Sequence, residues 1–138
     1  VFGTFDHTPS SQAGAVKVDP AWTRKNIVQI DTPILAHTGY RKISVHTKAA
    51  LPFQRVFEKV AAAGLQNRIK TCAGTWVARH MGWNPARPLS SHSWGVAIDL
   101  NTQWNGYGVA PAPLGATGSV RELVPIFESE GFAWGGYF

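Results

Sequence analysis

The sequence predicts an α+β fold, with a small antiparallel sheet that carries the functional site and two main helices packed against it. Three observations predict this class. One segment repeats apolar residues at helical spacing, several short runs are rich in β-branched residues, and a capping box marks the start of a second helix. At 138 residues, the chain can bury enough surface to fold as one compact domain.

The first helix is predicted from its apolar stripe. Four residues occupy positions i, i+3, i+4 and i+7: Phe53, Val56, Phe57 and Val60. Thr47 is expected to cap the N-terminus of this helix, and Gly64 is suited to end it.

The second helix is predicted from the capping box Ser119-Val-Arg-Glu122, which is followed by a broad apolar face. Pro125 falls inside this helix and is expected to kink or shorten it. Gly131 is expected to end the helix, and residues 132–134 are expected to form a last short strand.

The remaining segments are predicted from short β-branched runs and from turn residues. Strands are expected at residues 26–30, 43–46, 68–73 and 96–100. Residues 101–118 are dense in Gly, Pro and Asn, which predicts a long irregular loop of the kind that often borders a site. Residues 1–25 predict an extended N-terminal arm, which leaves residues 26–138 as the folded domain.

The charge composition narrows the function classes. The 13 Lys and Arg outnumber the 8 Asp and Glu, so the net charge is +5 and the pI about 9.7. This favours an anionic partner, but the basic residues are scattered, so nucleic-acid binding is not expected. No apolar stretch is long enough to span a membrane. The single Cys72 excludes an internal disulfide and a thiolate metal cluster.

The segment from Ser90 to Asp99 carries the candidate chemistry. His92 and Asp99 offer a nitrogen and an oxygen donor, both suited to zinc, seven residues apart. On a straight strand, this odd separation would put them on opposite faces. They can converge if His92 lies in a turn and Gly95 bends the chain into the strand that ends at Asp99. From chemistry alone, such a pair is more often two unrelated surface or capping residues.

The spacing Ser-x-His-x-x-Gly-x-Ala-x-Asp over residues 90–99 resembles the signature of the D-alanyl-D-alanine carboxypeptidase family of zinc peptidases. That family includes VanY-like enzymes and phage endolysins that cleave L-alanyl-D-glutamate bonds. Residues 75–79 look like the family segment that bears a substrate-facing arginine, and residues 127–136 look like the stretch before its last metal ligand. The resemblance extends over most of the chain from about residue 26 onward.

The resemblance implies roles for five residues. His92 and Asp99 would bind zinc, so that the predicted sheet carries a metal site. The Arg79 guanidinium would act on the substrate side, holding a carboxylate or the scissile carbonyl. Ser90 and Trp134 would lie beside the substrate. Each of these last three has an ordinary alternative: a surface salt bridge for Arg79, a turn for Ser90 and a core position for Trp134.

The sequence departs from the family pattern after Asp99. The family's third zinc ligand is a His that follows the Trp-Gly-Gly segment, and no His follows His92 here. No carboxylate stands at the position of the family's general base either. Residues beyond 138 are expected to supply both groups. The alternatives are an inactive relative, or a site in which His46 or His80 provides the third ligand.

The implied activity is zinc-dependent hydrolysis of peptide bonds in peptidoglycan stem peptides, of the D-Ala-D-Ala carboxypeptidase or the L-Ala-D-Glu endopeptidase type. The expected partners are peptidoglycan peptides, and the expected oligomeric state is a monomer. The expected location is extracellular, in the cell wall or periplasm, or on the wall as a phage-encoded lysin. The alternative is a catalytically inactive cell-wall-binding module of the same fold.

Overall fold

The computed structural model describes residues 1–137. This part of the chain contains six short strands and three α-helices, joined by 3₁₀ turns and irregular segments. The strands are β1 (His7–Pro9), β2 (Val16–Val18), β3 (Ile27–Asp31), β4 (Lys42–His46), β5 (Cys72–Gly74) and β6 (Asp99–Leu100). The helices are α1 (Pro20–Asn26), α2 (Ala50–Ala62) and α3 (Val124–Ser129). The predicted α+β class is confirmed. The strands form three two-stranded sheets, β1–β2, β3–β4 and β5–β6, where a single sheet was predicted.

The described chain divides into two compact units, each assembled from separate segments. The first unit contains Val1–Ile30, Ile43–Ala50 and Gly74–Ile98. The second contains Asp31–Lys42, Leu51–Ala73 and the described residues from Asp99 onward. No helix among the described residues is long and apolar enough to cross a membrane.

The N-terminal part of the first unit is a folded segment, where the sequence predicts an extended arm. Strands β1 and β2 pair antiparallel, with His7 opposite Val18. Helix α1 follows, capped by the Asp19 carboxylate, which accepts a hydrogen bond from the Ala21 amide at 3.1 Å. The Phe5 ring lies between the rings of Trp22 and Trp94, with centroids 4.7 and 5.0 Å away. Local sequence pattern does not predict this packing, because Trp94 is distant from Phe5 along the chain.

Helix α2 of the second unit confirms the predicted apolar stripe. Its four stripe residues are buried: Phe53, Val56, Phe57 and Val60. The Phe57 ring meets Phe127 of α3 edge-on at 6.4 Å, and the Phe53 ring lies 4.7 Å from Phe132. Burial of one such ring contributes about 1.5–3 kcal/mol, so these contacts account for much of the cohesion of this unit.

The cap before α2 differs from the prediction. A short 3₁₀ turn, Thr47–Ala49, leads into the helix, and the side chain of His46 caps it in place of Thr47. The His46 Nδ1 atom accepts a hydrogen bond from the Lys48 amide at 3.0 Å. A histidine is an uncommon cap, and its use here depends on the burial of His46 in the first unit, which a local pattern does not reveal.

The C-terminal helix also differs from the prediction in its details. Helix α3 begins at Val124, so Pro125 lies in the first turn, where proline is tolerated without a kink. The capping box does not form, because Glu122 pairs with Arg68 at 2.9 Å. Residues 132–134 are irregular, where a strand was predicted, and a 3₁₀ turn, Gly135–Tyr137, follows them.

Candidate active site

Residues 90–95 form a tight turn, here called the site loop. Its 3₁₀ segment is Ser91–Trp94, and the Ser90 hydroxyl caps it by accepting from the His92 amide at 3.3 Å. Gly95 ends the turn with φ +70°, and its carbonyl accepts a hydrogen bond from the His46 amide at 3.0 Å. A Cβ atom at Gly95 would lie 2.9 Å from the His46 nitrogen. The bend predicted at Gly95 therefore exists, and glycine is required there for both conformation and space.

The imidazole of His92 is buried and is held by a residue of another segment. His92 is 7% exposed, and its Nδ1 atom lies 2.9 Å from the carbonyl oxygen of Thr75. A carbonyl only accepts hydrogen bonds, so Nδ1 donates to it, and in the tautomer that this bond selects the lone pair lies on Nε2. This is the arrangement by which proteins orient a histidine toward a metal, with a backbone carbonyl fixing the tautomer.

The segment Thr75–Arg79 runs beside the site loop and is tied to it at several points. The Val77 amide donates to the His92 carbonyl, and the Trp76 indole N–H donates to the Ser93 carbonyl, both at 3.0 Å. The Thr75 hydroxyl donates to the Ser44 carbonyl of β4 at 2.6 Å. The carbonyl that orients His92 is therefore fixed by its own residue's side chain.

The backbone of Arg79 is clamped by the fully buried hydroxyl of Ser93. The Ser93 Oγ accepts from the Arg79 amide at 3.0 Å and donates to the Arg79 carbonyl at 2.9 Å. The partly exposed Arg79 side chain places its guanidinium 5.3 Å from the centre of the Trp83 ring, a cation–π distance. A fixed backbone with a stacked, accessible guanidinium suits a residue that holds an anionic or polarised group, although the predicted substrate role of Arg79 stays a prediction.

Asp99 belongs to the second unit, whereas His92 belongs to the first. Asp99 is the first residue of β6, and the chain just after it is fixed by Asn101, which is 0% exposed and has φ +53°. The Asn101 amide group accepts from the Lys70 and Thr71 amides and donates to the Arg68 and Gly118 carbonyls. Joint coordination of a metal by His92 and Asp99 stays a prediction.

Within residues 1–137, no group of three His, Cys, Asp or Glu side chains is arranged to hold a metal ion. His46 is a poor candidate for a third ligand. Its Nε2 lies 3.0 Å from the Phe2 carbonyl and its Nδ1 accepts from Lys48, so both ring nitrogens are engaged. In His80, Nδ1 lies 2.7 Å from the Arg87 carbonyl. Two features of the described residues suit zinc. His92 and Asp99 offer donor atoms that zinc accepts, and the His92 ring is oriented as in a metal ligand.

The two residues predicted to lie beside the substrate have clear structural partners. Ser90 is buried and caps the site loop, which agrees with the alternative role of a turn residue. In the second unit, the Arg121 guanidinium lies 5.3 Å from the centre of the Trp134 ring, a cation–π distance. The Trp134 ring also meets the Tyr137 ring edge-on at 5.1 Å. The substrate roles of Ser90 and Trp134 stay predictions.

Sequence reasoning missed the three residues that hold the candidate ligands in place: Thr75, Ser93 and Asn101. All three are small polar residues, of a kind found at most turns. A usable signal was their position, since Ser93 follows His92 directly and Asn101 stands two residues after Asp99.

A family model described as D-alanyl-D-alanine carboxypeptidase matches residues 83–138, a stretch that includes the site loop and Asp99. This match supports a peptidase function directed at peptidoglycan. Over these residues the chain is similar to the D-alanyl-D-alanine carboxypeptidase family, which confirms the resemblance of its signature. No curated protein and no solved structure matches the chain.

Proposed function

We propose that this protein is a zinc-dependent peptidase that hydrolyses peptide bonds in peptidoglycan stem peptides. The bond would be either the terminal D-Ala-D-Ala bond or the L-Ala-D-Glu bond within the stem. His92 and Asp99 would be two of the zinc ligands, and Arg79 would act on the substrate. The observation that carries the proposal is the hydrogen bond to the Thr75 carbonyl from Nδ1 of His92, a residue of the family-matched loop.

The His92 side chain would contribute through its fixed tautomer. With the proton on Nδ1, coordination would use Nε2, and burial restricts the ring to this orientation. Asp99 would add an oxygen donor of negative charge. A zinc ion held there would supply a Lewis acid and a water of lowered pKa.

Arg79 would hold the substrate rather than exchange protons, because a guanidinium stays charged at all ordinary pH values. Its fork of N–H donors suits a terminal carboxylate or the oxygen of the scissile carbonyl. The two hydrogen bonds from Ser93 fix the Arg79 backbone, so the side chain would need to reorganise only about its own bonds.

The test combines zinc content with cleavage of muropeptides that end in D-Ala-D-Ala and of muropeptides that contain an intact L-Ala-D-Glu bond. We expect one zinc per protein and cleavage of one of these bonds. His92→Ala and Asp99→Asn should each abolish cleavage and lower zinc content, because each removes a donor atom. Arg79→Gln should keep the zinc and lose cleavage.

The matched control is His7→Ala, which removes a histidine that lies exposed on β1 of the same unit as His92. It should keep both the zinc and the activity. Equal cleavage by His92→Ala and by the unaltered protein would refute the assignment of the site.

A second candidate function is a cell-wall-binding module without catalysis. The uneven distribution of charge favours it, because the first unit holds six Lys and Arg residues against two Asp, whereas the second holds seven against six. Such a basic unit would be attracted to anionic wall polymers. Salt-sensitive wall binding that survives His92→Ala, in a protein with neither zinc nor cleavage, would favour this function over the peptidase.

Either function places the protein at the cell wall. We therefore propose an extracellular or periplasmic location, or release as a phage-encoded lysin, and a monomeric state. Fractionation of the producing cells and light scattering of the purified protein test these two statements separately.

A further inference from the structure

The second unit contains a pocket of about 340 Å³ that takes no part in the proposed zinc site. One wall is formed by Asn67, Arg68 and Lys70, and the other by residues 115–119 together with Glu122. The volume is suited to a single amino-acid residue or a comparably small ion.

The two walls of this pocket are fixed by the buried side chain of Asn101. Its Nδ2 atom donates to the Arg68 carbonyl at 2.7 Å and to the Gly118 carbonyl at 3.1 Å, one on each wall. Its Oδ1 atom accepts from the Lys70 amide at 2.7 Å. Because one fully buried amide spans both walls, the pocket is built into the fold and does not depend on a chance arrangement of surface side chains.

The charges of the pocket leave one cation in excess. Glu122, the only acidic lining residue, is engaged by Arg68 through contacts of 2.9 and 3.4 Å. Lys70 is exposed and has no side-chain hydrogen bond or ion pair among residues 1–137. Residues 115–119 carry no charge, and they add the hydroxyls of Thr117 and of the buried Ser119.

We propose that this pocket binds a carboxylate, with Lys70 as its counter-ion and the wall at residues 115–119 as a hydrogen-bonding surface. One excess positive charge matches a monoanion better than a phosphate dianion. The free carboxylate of a peptidoglycan stem peptide is the ligand that we assign, and this source rests on the proposed function. The carboxylate chemistry itself rests on the pocket alone.

The experiment is an NMR titration of the full chain with N-acetyl-D-alanine, with N-acetyl-D-alanine amide as the uncharged matched probe. We expect the acid to shift the amide signals of Thr117, Gly118 and Ser119, and the amide probe to leave them unchanged. Lys70→Gln should weaken this binding about tenfold, the usual effect of losing one charge-assisted contact.

The matched control variant is Lys42→Gln, which removes the same charge from an exposed lysine of the same unit, one that does not line the pocket. It should bind the acid like the unaltered protein. Equal losses in Lys70→Gln and Lys42→Gln, equal shifts by both probes, or no shift at residues 117–119 would each overturn the proposal.

The same titration on His92→Ala separates this proposal from the proposed function. His92→Ala should bind the acid like the unaltered protein although it loses zinc and cleavage. Binding at residues 117–119 in an unaltered protein that holds no zinc and cleaves neither bond would refute the peptidase and leave the carboxylate pocket standing. Loss of binding at these residues in an active peptidase would do the reverse.

Discussion

The site loop and the loop at residues 101–118 are both irregular, but they are held in different ways. The site loop is bonded along its whole length, through the Ser90 hydroxyl, the His92 ring, the Ser93 hydroxyl and the Gly95 carbonyl. The longer loop is bonded near its two ends and at scattered inner points, where Asn105 accepts from the Ala112 amide, Arg121 donates to the Ala112 carbonyl, and the Val109 amide donates to the Gly106 carbonyl. Its apolar side chains stay exposed, with Tyr107 at 87% and Leu114 at 69%. The site loop is thus fixed residue by residue, whereas the longer loop is fixed at scattered points and keeps apolar side chains in water.

A substitution at an end of the longer loop should have the largest effect on the free energy of unfolding. Asn101→Ala removes four hydrogen bonds from a fully buried site, and we expect it to cost about 3 kcal/mol of unfolding free energy or more. Urea denaturation measures this cost. Asn67→Ala, an exposed neighbour with a single bond to Arg68, should cost less than about 0.5 kcal/mol. Similar costs for the two variants would mean that Asn101 does not hold the loop.

A substitution in the site loop should have the next largest effect on the free energy of unfolding. Ser93→Ala leaves the Arg79 amide without its buried partner, and we expect a loss of about 1–3 kcal/mol in denaturation. The exposed Ser91, two residues away, serves as control, and Ser91→Ala should change stability by about 0.5 kcal/mol at most. If Ser93→Ala keeps full stability and activity, the clamp on Arg79 has no energetic role.

The stability of the fold should also fall in acid, and the group concerned is His46, whose amide is bonded to the Gly95 carbonyl of the site loop. Burial is the main cause that lowers the pKa of His46 below its ordinary 6.5; the Phe2 carbonyl opposes this shift and the Lys48 charge adds to it. Below about pH 6.5 the unfolded chain therefore binds more protons than the folded one. Stability falls as the pH is lowered from 6.5 toward the folded pKa of His46, and levels off below it. Above pH 6.5 this contribution is constant.

Thermal unfolding between pH 5 and 8 measures this effect. His46→Asn keeps an acceptor near the Lys48 amide and removes the titration, so its stability should depend less on pH in the acid range. An unchanged slope in His46→Asn would show that other groups cause the acid sensitivity.

The smallest effect is expected at the exposed part of the longer loop. Leu114→Ser should change unfolding free energy by less than about 0.5 kcal/mol, because the side chain is already in water. Hydrogen exchange should show faster exchange at residues 106–109 than at His92–Gly95. Equal protection of the two segments would remove the contrast between the loops.

The sequence predicted those parts of the fold that depend on local pattern. The stripe of α2 and the short strands β3 and β4 lie close to their predicted places, because periodicity and β-branching act within a few residues. The cap by His46 depends on the burial of that residue, and the pairing of Glu122 with Arg68 joins side chains that are distant along the chain. No local pattern contains that information.

The candidate site divides along the same line. The signature residues His92, Gly95 and Asp99 could be read from their spacing, and the turn at Gly95 follows from the conformational freedom of glycine. For Thr75 and Ser93, spacing could mark at most the position beside a signature residue, and it could not predict what their side chains bond to. A hydroxyl or a carbonyl acquires its role only when folding brings a second segment beside it.

The most direct test of the central claim is ¹⁵N NMR of the His92 ring during titration of the protein with zinc. The orientation by Thr75 predicts that, with one equivalent of zinc, the Nε2 signal moves to the range of a metal-bound nitrogen while Nδ1 keeps its proton. Zinc bound at one equivalent without any change at His92 Nε2, or coordination through Nδ1, would contradict the assignment of His92 as a zinc ligand.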